Sequence, residues 1–327
     1  MVTLWSWERN LRKPRPQPGD INLQDLNSLS CQPVKKRQGR ILRIGLWFGA
    51  GLLILPVVLL HLVSFLFSLH DRNMRSHVSR TVTDSFGQRL HYYELSHPQA
   101  PWRIIFIHGS PASAAIFGEQ FKHPFPHANL LALDRPGFGL SGPANRKPSL
   151  DDQANALEAL LPKSGQSRTI LVGHSYGAPI ALLAALKFPN QVAGVVLIGG
   201  SVDPGQERTY IIQRIADWSL VSWFLPRPLR QCNRELLTLR RDLELLRSRL
   251  KSLEVPVVML HGGKDHQVPV ENVEYLRSQL AAANKINLFF PIVISQFNHF
   301  IPWEHPEAVE AALSMLTRSL KTSSQIP

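Results

Sequence analysis

Three features of the sequence predict an α/β fold with a mostly parallel sheet and helices on both faces. Short apolar runs suited to buried strands recur at Arg103–Ile107, Leu130–Asp134, Thr169–Val172, Val195–Gly200, Val255–Leu260 and Ile286–Phe290. Helical compositions fall between and after them, at Ser149–Leu161, Tyr176–Lys187, Val270–Ala282 and Pro306–Leu320. Several strands run straight into glycine-bearing turns, as at Gly173–Gly177 and Gly262–Gly263. Alternation of strand and helix places successive strands in parallel and covers both sides of the sheet.

In chain order, residues 1–43 read as a basic, proline-containing tail. Arg12-Lys13-Pro14-Arg15-Pro16-Gln17-Pro18-Gly19 holds too little apolar content for a core. From Ile44 to His70 there is no Asp, Glu, Lys or Arg. Such a run is long enough to cross about 30 Å of hydrocarbon, so residues 44–69 are expected to form one transmembrane anchor helix. Pro56 and His61 are tolerable inside it. A cleaved signal peptide fits less well, because more than forty residues precede the run and no small-residue cleavage site follows. Lys35, Lys36, Arg37, Arg40 and Arg43 on one flank outnumber Arg72, Arg75 and Arg80 on the other. The positive-inside tendency then places the tail in the cytoplasm and the larger domain, residues 77–320, on the non-cytoplasmic side.

That domain begins with Thr81–Tyr93, which alternates about a turn as two antiparallel strands do. His108-Gly109-Ser110-Pro111 follows the Arg103–Ile107 strand, and Asp134-Arg135-Pro136-Gly137-Phe138-Gly139-Leu140-Ser141 closes the next. Thr169–Val172 then turns through Gly173-His174-Ser175-Tyr176-Gly177 directly into an Ala/Leu-rich helix. A Gly-x-Ser-x-Gly between strand and helix is a nucleophile elbow, which exposes the serine oxygen at the strand's end.

Residues 201–254 interrupt the alternation and hold two helical stretches, Tyr210–Phe224 and Leu229–Leu253. Ile211, Ile212, Ile215, Trp218, Leu220, Val221, Trp223 and Phe224 give the first a large apolar surface. It could line an acyl pocket, meet the bilayer or simply pack on the domain. On the second, Arg240, Arg241, Arg247, Arg249 and Lys251 interleave with Asp242 and Glu244, the pattern of a solvated face. Asp265 then follows the Val255–Leu260 strand, and His299 precedes the last helix. Ligands of open α/β sheets gather at such carboxyl ends.

These motifs together resemble the α/β-hydrolase superfamily over roughly Thr81–Leu320. The resemblance implies the α/β-hydrolase fold, with residues 201–254 as a helical cap over the active site. It also implies a triad in the chain order Ser175, Asp265, His299. The backbone N–H groups of Ser110 and Tyr176 would form the oxyanion hole. Asp203 competes for the acid's role, since some members of the superfamily place it after that strand, but beside Pro204 it also reads as a helix N-cap. His305 reads as a helix-start residue, His108 and His174 as packing or hydrogen-bonding groups, and Asp134 as structural.

Serine at the elbow points to an acyl-enzyme, whereas members that open epoxides or displace halide carry Asp there. The expected reaction is therefore hydrolysis of a carboxylic ester, on a small-molecule or lipid substrate. Acyl transfer or cleavage of a thioester, amide or activated C–C bond would use the same triad, and a non-catalytic binding protein of the same fold is the alternative of another class. No cofactor and no metal are expected, since the sequence lacks a Walker-type run and any Cys/His cluster at zinc spacing. The formal net charge of +12 divides equally between residues 1–70 and 71–327. A domain so mildly basic gives no reason to expect a nucleic-acid partner. Cys31 and Cys232 fall on opposite sides of the expected membrane span and imply no disulfide framework, and no Asn-x-Ser/Thr acceptor occurs.

Overall fold

A computed structural model describes residues 57–62, 74, 76–142, 149–162 and 168–323. Eight strands form one sheet: β1 (Val78–Thr83), β2 (Arg89–Leu95), β3 (Trp102–Ile107), β4 (Ala128–Asp134), β5 (Arg168–His174), β6 (Val192–Ile198), β7 (Val257–Gly262) and β8 (Phe289–Ile294). Their spatial order is β1-β2-β4-β3-β5-β6-β7-β8. The pairs β1/β2 and β2/β4 are antiparallel and every other pair is parallel. The expected hairpin over Thr81–Tyr93 is β1 and β2, turned through Gly87 at a φ of 76°.

The helices are α1 (Gly118–Lys122), α2 (Leu150–Ala156), α3 (Gly177–Lys187), α4 (Ile211–Ala216), α5 (Ser219–Phe224), α6 (Arg227–Arg249), α7 (Glu271–Ala282), α8 (Ile301–Glu304) and α9 (Pro306–Ser323). Strand side chains alternate between two cores, as a period of two demands. Ile105, Ile107, Leu171, Leu197 and Met259 pack with α2, α3, α6 and α7 on one face. Ile104, Phe106, Val172, Ile198 and Leu260 pack with α1 and α9 on the other. Ser149 caps α2, its side chain accepting from the Asp152 amide.

Several expected elements differ in the structure. Ile286–Leu288 is a 3₁₀ turn, and the last strand begins at Phe289 and runs through Pro291. The proline is tolerated because β8 lies at the sheet's edge. The Ile294 carbonyl accepts from the Gly263 amide on the β7 side, so alternation turns Pro291's missing donor outward. Tyr210–Phe224 is two short helices, α4 and α5, broken at Asp217 and Trp218.

The face of α6 expected to be solvated is only partly so. Arg240, Arg241, Arg247, Arg249 and Lys251 are exposed, but Asp242 is buried and accepts from the Leu150 amide at 3.1 Å. Leu239, Leu243 and Leu246 recur at helical spacing and bury α6 in the core. By contrast α4 and α5 turn large side chains outward: Ile211 is 78 % exposed, Leu220 73 % and Trp223 71 %.

The expected membrane helix over residues 44–69 falls almost wholly outside the described residues. Residues 57–62 are helical, and among the described residues no helix is long and apolar enough to cross a membrane. The tail at residues 1–43, including Cys31, also lies outside them.

Candidate active site

The sequence-predicted site residues all follow strand carboxyl ends: Ser110 after β3, Ser175 after β5, Asp265 after β7 and His299 after β8. Ser175 is the turn between β5 and α3 and holds a φ of 54°, a left-handed conformation that costs a non-glycine residue energy. The turn is too tight for side chains on either flank. A methyl group on Gly173 would lie 2.3 Å from the Gly177 carbonyl oxygen, and one on Gly177 2.2 Å from that of Ile107.

Asp265 and His299 meet directly, with Nδ1 of His299 2.7 Å from Oδ2 of Asp265. The carboxylate must accept, so Nδ1 carries a proton, and in the neutral ring that leaves the lone pair on Nε2. The other carboxylate oxygen accepts from the amides of Gln267 at 2.9 Å and Val268 at 2.8 Å. Burial pushes this carboxyl's pKa up, but the hydrogen bond and charge of His299 and the two amides outweigh it, leaving it below the ordinary value.

The end of β6 borders both halves of the site. Ser175 donates its amide to Ile198 at 2.9 Å, and a methyl group on Gly199 would sit 3.1 Å from Asp265 Oδ2 and 3.2 Å from His299 Nδ1. His174 stands beside them, donating from Nε2 to the His299 carbonyl at 3.0 Å. Its burial, reinforced by His299, lowers its pKa to about 3, so it stays neutral. On the other side the Gly109 loop presses on the elbow, where a methyl group on Gly109 would lie 2.8 Å from Ser175 Cβ and 3.3 Å from its Oγ.

The competing acid is elsewhere engaged. Asp203 accepts from the Gly205 amide at 2.8 Å in a tight turn, and no helix begins at Pro204, so it is not the N-cap its sequence suggested. His305 stands at the start of α9, stacked on Phe297 at 3.6 Å between ring centroids. Asp134 accepts from His91 Nδ1 and from the amides of Ala114 and Leu140, a structural role. His108 accepts from the Arg135 amide at Nε2 and donates from Nδ1 to the Gly109 carbonyl at 2.7 Å. The Cys232 thiol is buried and forms no disulfide, and burial raises its pKa to about 12. Among the described residues no group of three or more His, Cys, Asp or Glu side chains could hold a metal ion.

A buried polar cluster beneath the Gly109 loop was not anticipated. Arg135, Gln153 and Glu235, from the end of β4, α2 and α6, meet there with at most 3 % exposure each. Arg135 donates to Glu235 Oε1 at 2.7 Å and Oε2 at 3.1 Å, and to Gln153 Oε1. Its guanidinium also lies over the rings of Phe138 and Tyr176, at 4.6 and 4.9 Å. A sequence signal for Glu235 existed: it stands four residues before Leu239, on the apolar stripe of α6.

Comparison with known proteins agrees with this architecture. The sequence profile of the α/β hydrolase fold matches residues 103–235. Lipase LipV of Mycobacterium tuberculosis is 34 % identical over 105 residues, covering 32 % of this chain and 40 % of that protein. Human protein ABHD8 is 25 % identical over 247 residues, covering 66 % of this chain and 55 % of its own length. The chain thus spans less than two thirds of the length of either relative.

Among solved structures, a thermophilic esterase from Thermogutta terrifontis superposes with a TM-score of 0.59 at 18 % identity, over 75 % of this chain and 98 % of that one. A haloalkane dehalogenase variant from Bradyrhizobium elkanii gives 0.55 at 17 % identity, over 76 % and 98 %. At such identities the likeness speaks for the fold alone. With the elbow turn after β5, Asp265 after β7 and His299 after β8 of one mostly parallel sheet, the chain has the α/β-hydrolase fold, and residues 103–235, from β3 into α6, match that fold's profile.

Proposed function

We propose that this protein is a membrane-anchored serine hydrolase that cleaves a carboxylic ester through Ser175, His299 and Asp265. The observation that carries the reading is the 2.7 Å hydrogen bond between His299 and Asp265, next to a serine held at a positive φ. His299 takes the Ser175 proton at Nε2 as the serine oxygen attacks the ester carbonyl. Asp265 holds the imidazole in that tautomer and stabilises the imidazolium. The amides of Ser110 and Tyr176 receive the oxyanion, the alcohol leaves with the proton from His299, and water then releases the acid by the same steps. Serine rather than aspartate at the elbow favours acyl chemistry over halide displacement, and the name of the M. tuberculosis relative, a lipase, agrees with an ester substrate.

The charge-free run Ile44–His70 supports a single-pass anchor. The excess of basic residues before it supports a non-cytoplasmic catalytic domain. A fluorophosphonate probe tests the nucleophile: the wild-type protein takes the label and Ser175→Ala does not. Persistent labelling of the variant would reject Ser175. A reporter fused at the C-terminus tests the orientation, which a cytoplasmic signal would reject.

A further inference from the structure

We propose that the buried Arg135–Glu235 pair positions the oxyanion donor of Ser110, so that a carboxylate from the cap region sets the catalytic competence of a loop on the sheet. The inference rests on the serine-hydrolase reading above. The Ser110 N–H belongs to the same planar peptide group as the Gly109 carbonyl, and in a trans peptide the two point in opposite directions. Whatever fixes the carbonyl therefore aims the N–H.

Two donors fix it: Arg135 Nη2 at 2.9 Å and His108 Nδ1 at 2.7 Å. The Ser110 hydroxyl is held as well, accepting from Arg135 Nη2 at 2.7 Å and donating to Glu235 Oε2. A cation bonded to the carbonyl oxygen also polarises the peptide and strengthens its N–H as a donor.

Arg135 holds its position because Glu235 accepts from both of its terminal nitrogens, and Gln153 bridges the two side chains, its Nε2 donating to Glu235 Oε1 at 2.9 Å. Glu235 is 0 % exposed and Arg135 1 %, so water does not substitute for a lost partner. Apolar residues of similar volume stabilise a core at least as well as a buried ion pair. Stability therefore gives little reason for the pair, whereas aiming a donor requires these atoms at these places.

The test compares Glu235→Gln, Arg135→Lys and the double variant Arg135→Met/Glu235→Leu with the wild type. Each is assayed with p-nitrophenyl butyrate and with an alkyl trifluoromethyl ketone, whose serine adduct places an oxyanion in the hole. Loss of a whole oxyanion donor costs about 10²–10³ in kcat, so a misaimed one should cost about ten- to a hundredfold. KM should change by less than about threefold, and the ketone's inhibition constant should rise in proportion to the fall in kcat/KM. The double variant removes the buried charges together. It should recover the wild-type Tm while its kcat stays low, and it carries the test if Glu235→Gln does not fold.

A double variant with wild-type Tm and wild-type kcat overturns the proposal. So does a fall in kcat that leaves ketone affinity unchanged. Either result leaves the nucleophile reading intact, which fails separately if the wild type takes no fluorophosphonate label.

Discussion

His108, His174, His261 and His299 all serve the carboxyl end of the sheet, yet only His299 has a carboxylate at hydrogen-bonding distance. Burial lowers the pKa of His108 and His174 to about 3, far below the ordinary value of 6.5. Below pH 6.5 the unfolded chain takes up protons at these positions and the folded chain does not until about pH 3. Stability therefore falls as pH drops through this window. Asp134 and Asp265, lowered from 3.8 in the fold, add stability above that value that is lost only at lower pH. At pH 5 these two histidines should accordingly contribute an uptake of about two protons to urea unfolding, removed in the His108→Gln/His174→Gln variant and read from the pH slope of the unfolding free energy. Equal slopes for wild type and variant between pH 4.5 and 6.5 would contradict it. Gly199 offers a second test at this scale. Its φ of 51° strains any residue with a side chain, and a methyl group there, 3.1 Å from Asp265 Oδ2 and 3.2 Å from His299 Nδ1, would push on the pair. Gly199→Ala should lower kcat about 100-fold, because small displacements of reacting groups are costly. Rates within twofold of wild type would refute the crowding argument.

Among the elements, those that a local pattern specifies were legible in the sequence. Ile170–Val172 and Val257–Leu260 are apolar throughout and lie in central strands, where both faces are buried and no other pattern would serve. The turn at the end of β5 was legible for a related reason, since its tight geometry demands particular types: glycines at 173 and 177. β8 was misplaced because Pro291 reads locally as a breaker, and only its position at the edge makes it acceptable. Glu235 was missed for the opposite reason, because a buried glutamate has meaning only beside a partner 100 residues away. The insertion divides by element too: α6 is bound into the core, while α4, α5 and the break between them leave Ile211, Trp218, Leu220 and Trp223 exposed. If these helices meet a lipid substrate or surface, Leu220→Ser/Trp223→Ser should reduce hydrolysis of emulsified long-chain esters about tenfold or more. Each buried side chain of this size is worth about 1.5–3 kcal/mol. Activity on a soluble short-chain ester should be unchanged. Equal loss on both substrates would instead assign the two residues to the pocket or to packing.

For the whole molecule, the parallel run of strands and the two cores follow from the alternation read along the chain, whereas the antiparallel start of the sheet follows from the short Asp84–Gln88 turn. The expected membrane attachment belongs at this scale. Deleting residues 44–69 should move the protein from the membrane pellet to the supernatant after centrifugation, and esterase activity on a soluble substrate should persist. Pelleting of the deletion variant to the wild-type extent would assign attachment to another surface.

The outward-facing gap at Pro291 has a consequence between molecules. A neighbouring chain that tried to extend the sheet past β8 would find no N–H there to continue the ladder of bonds. An edge interrupted in its middle resists pairing with the same strand of another copy, so β8 is a poor template for a sheet that runs from one molecule into the next.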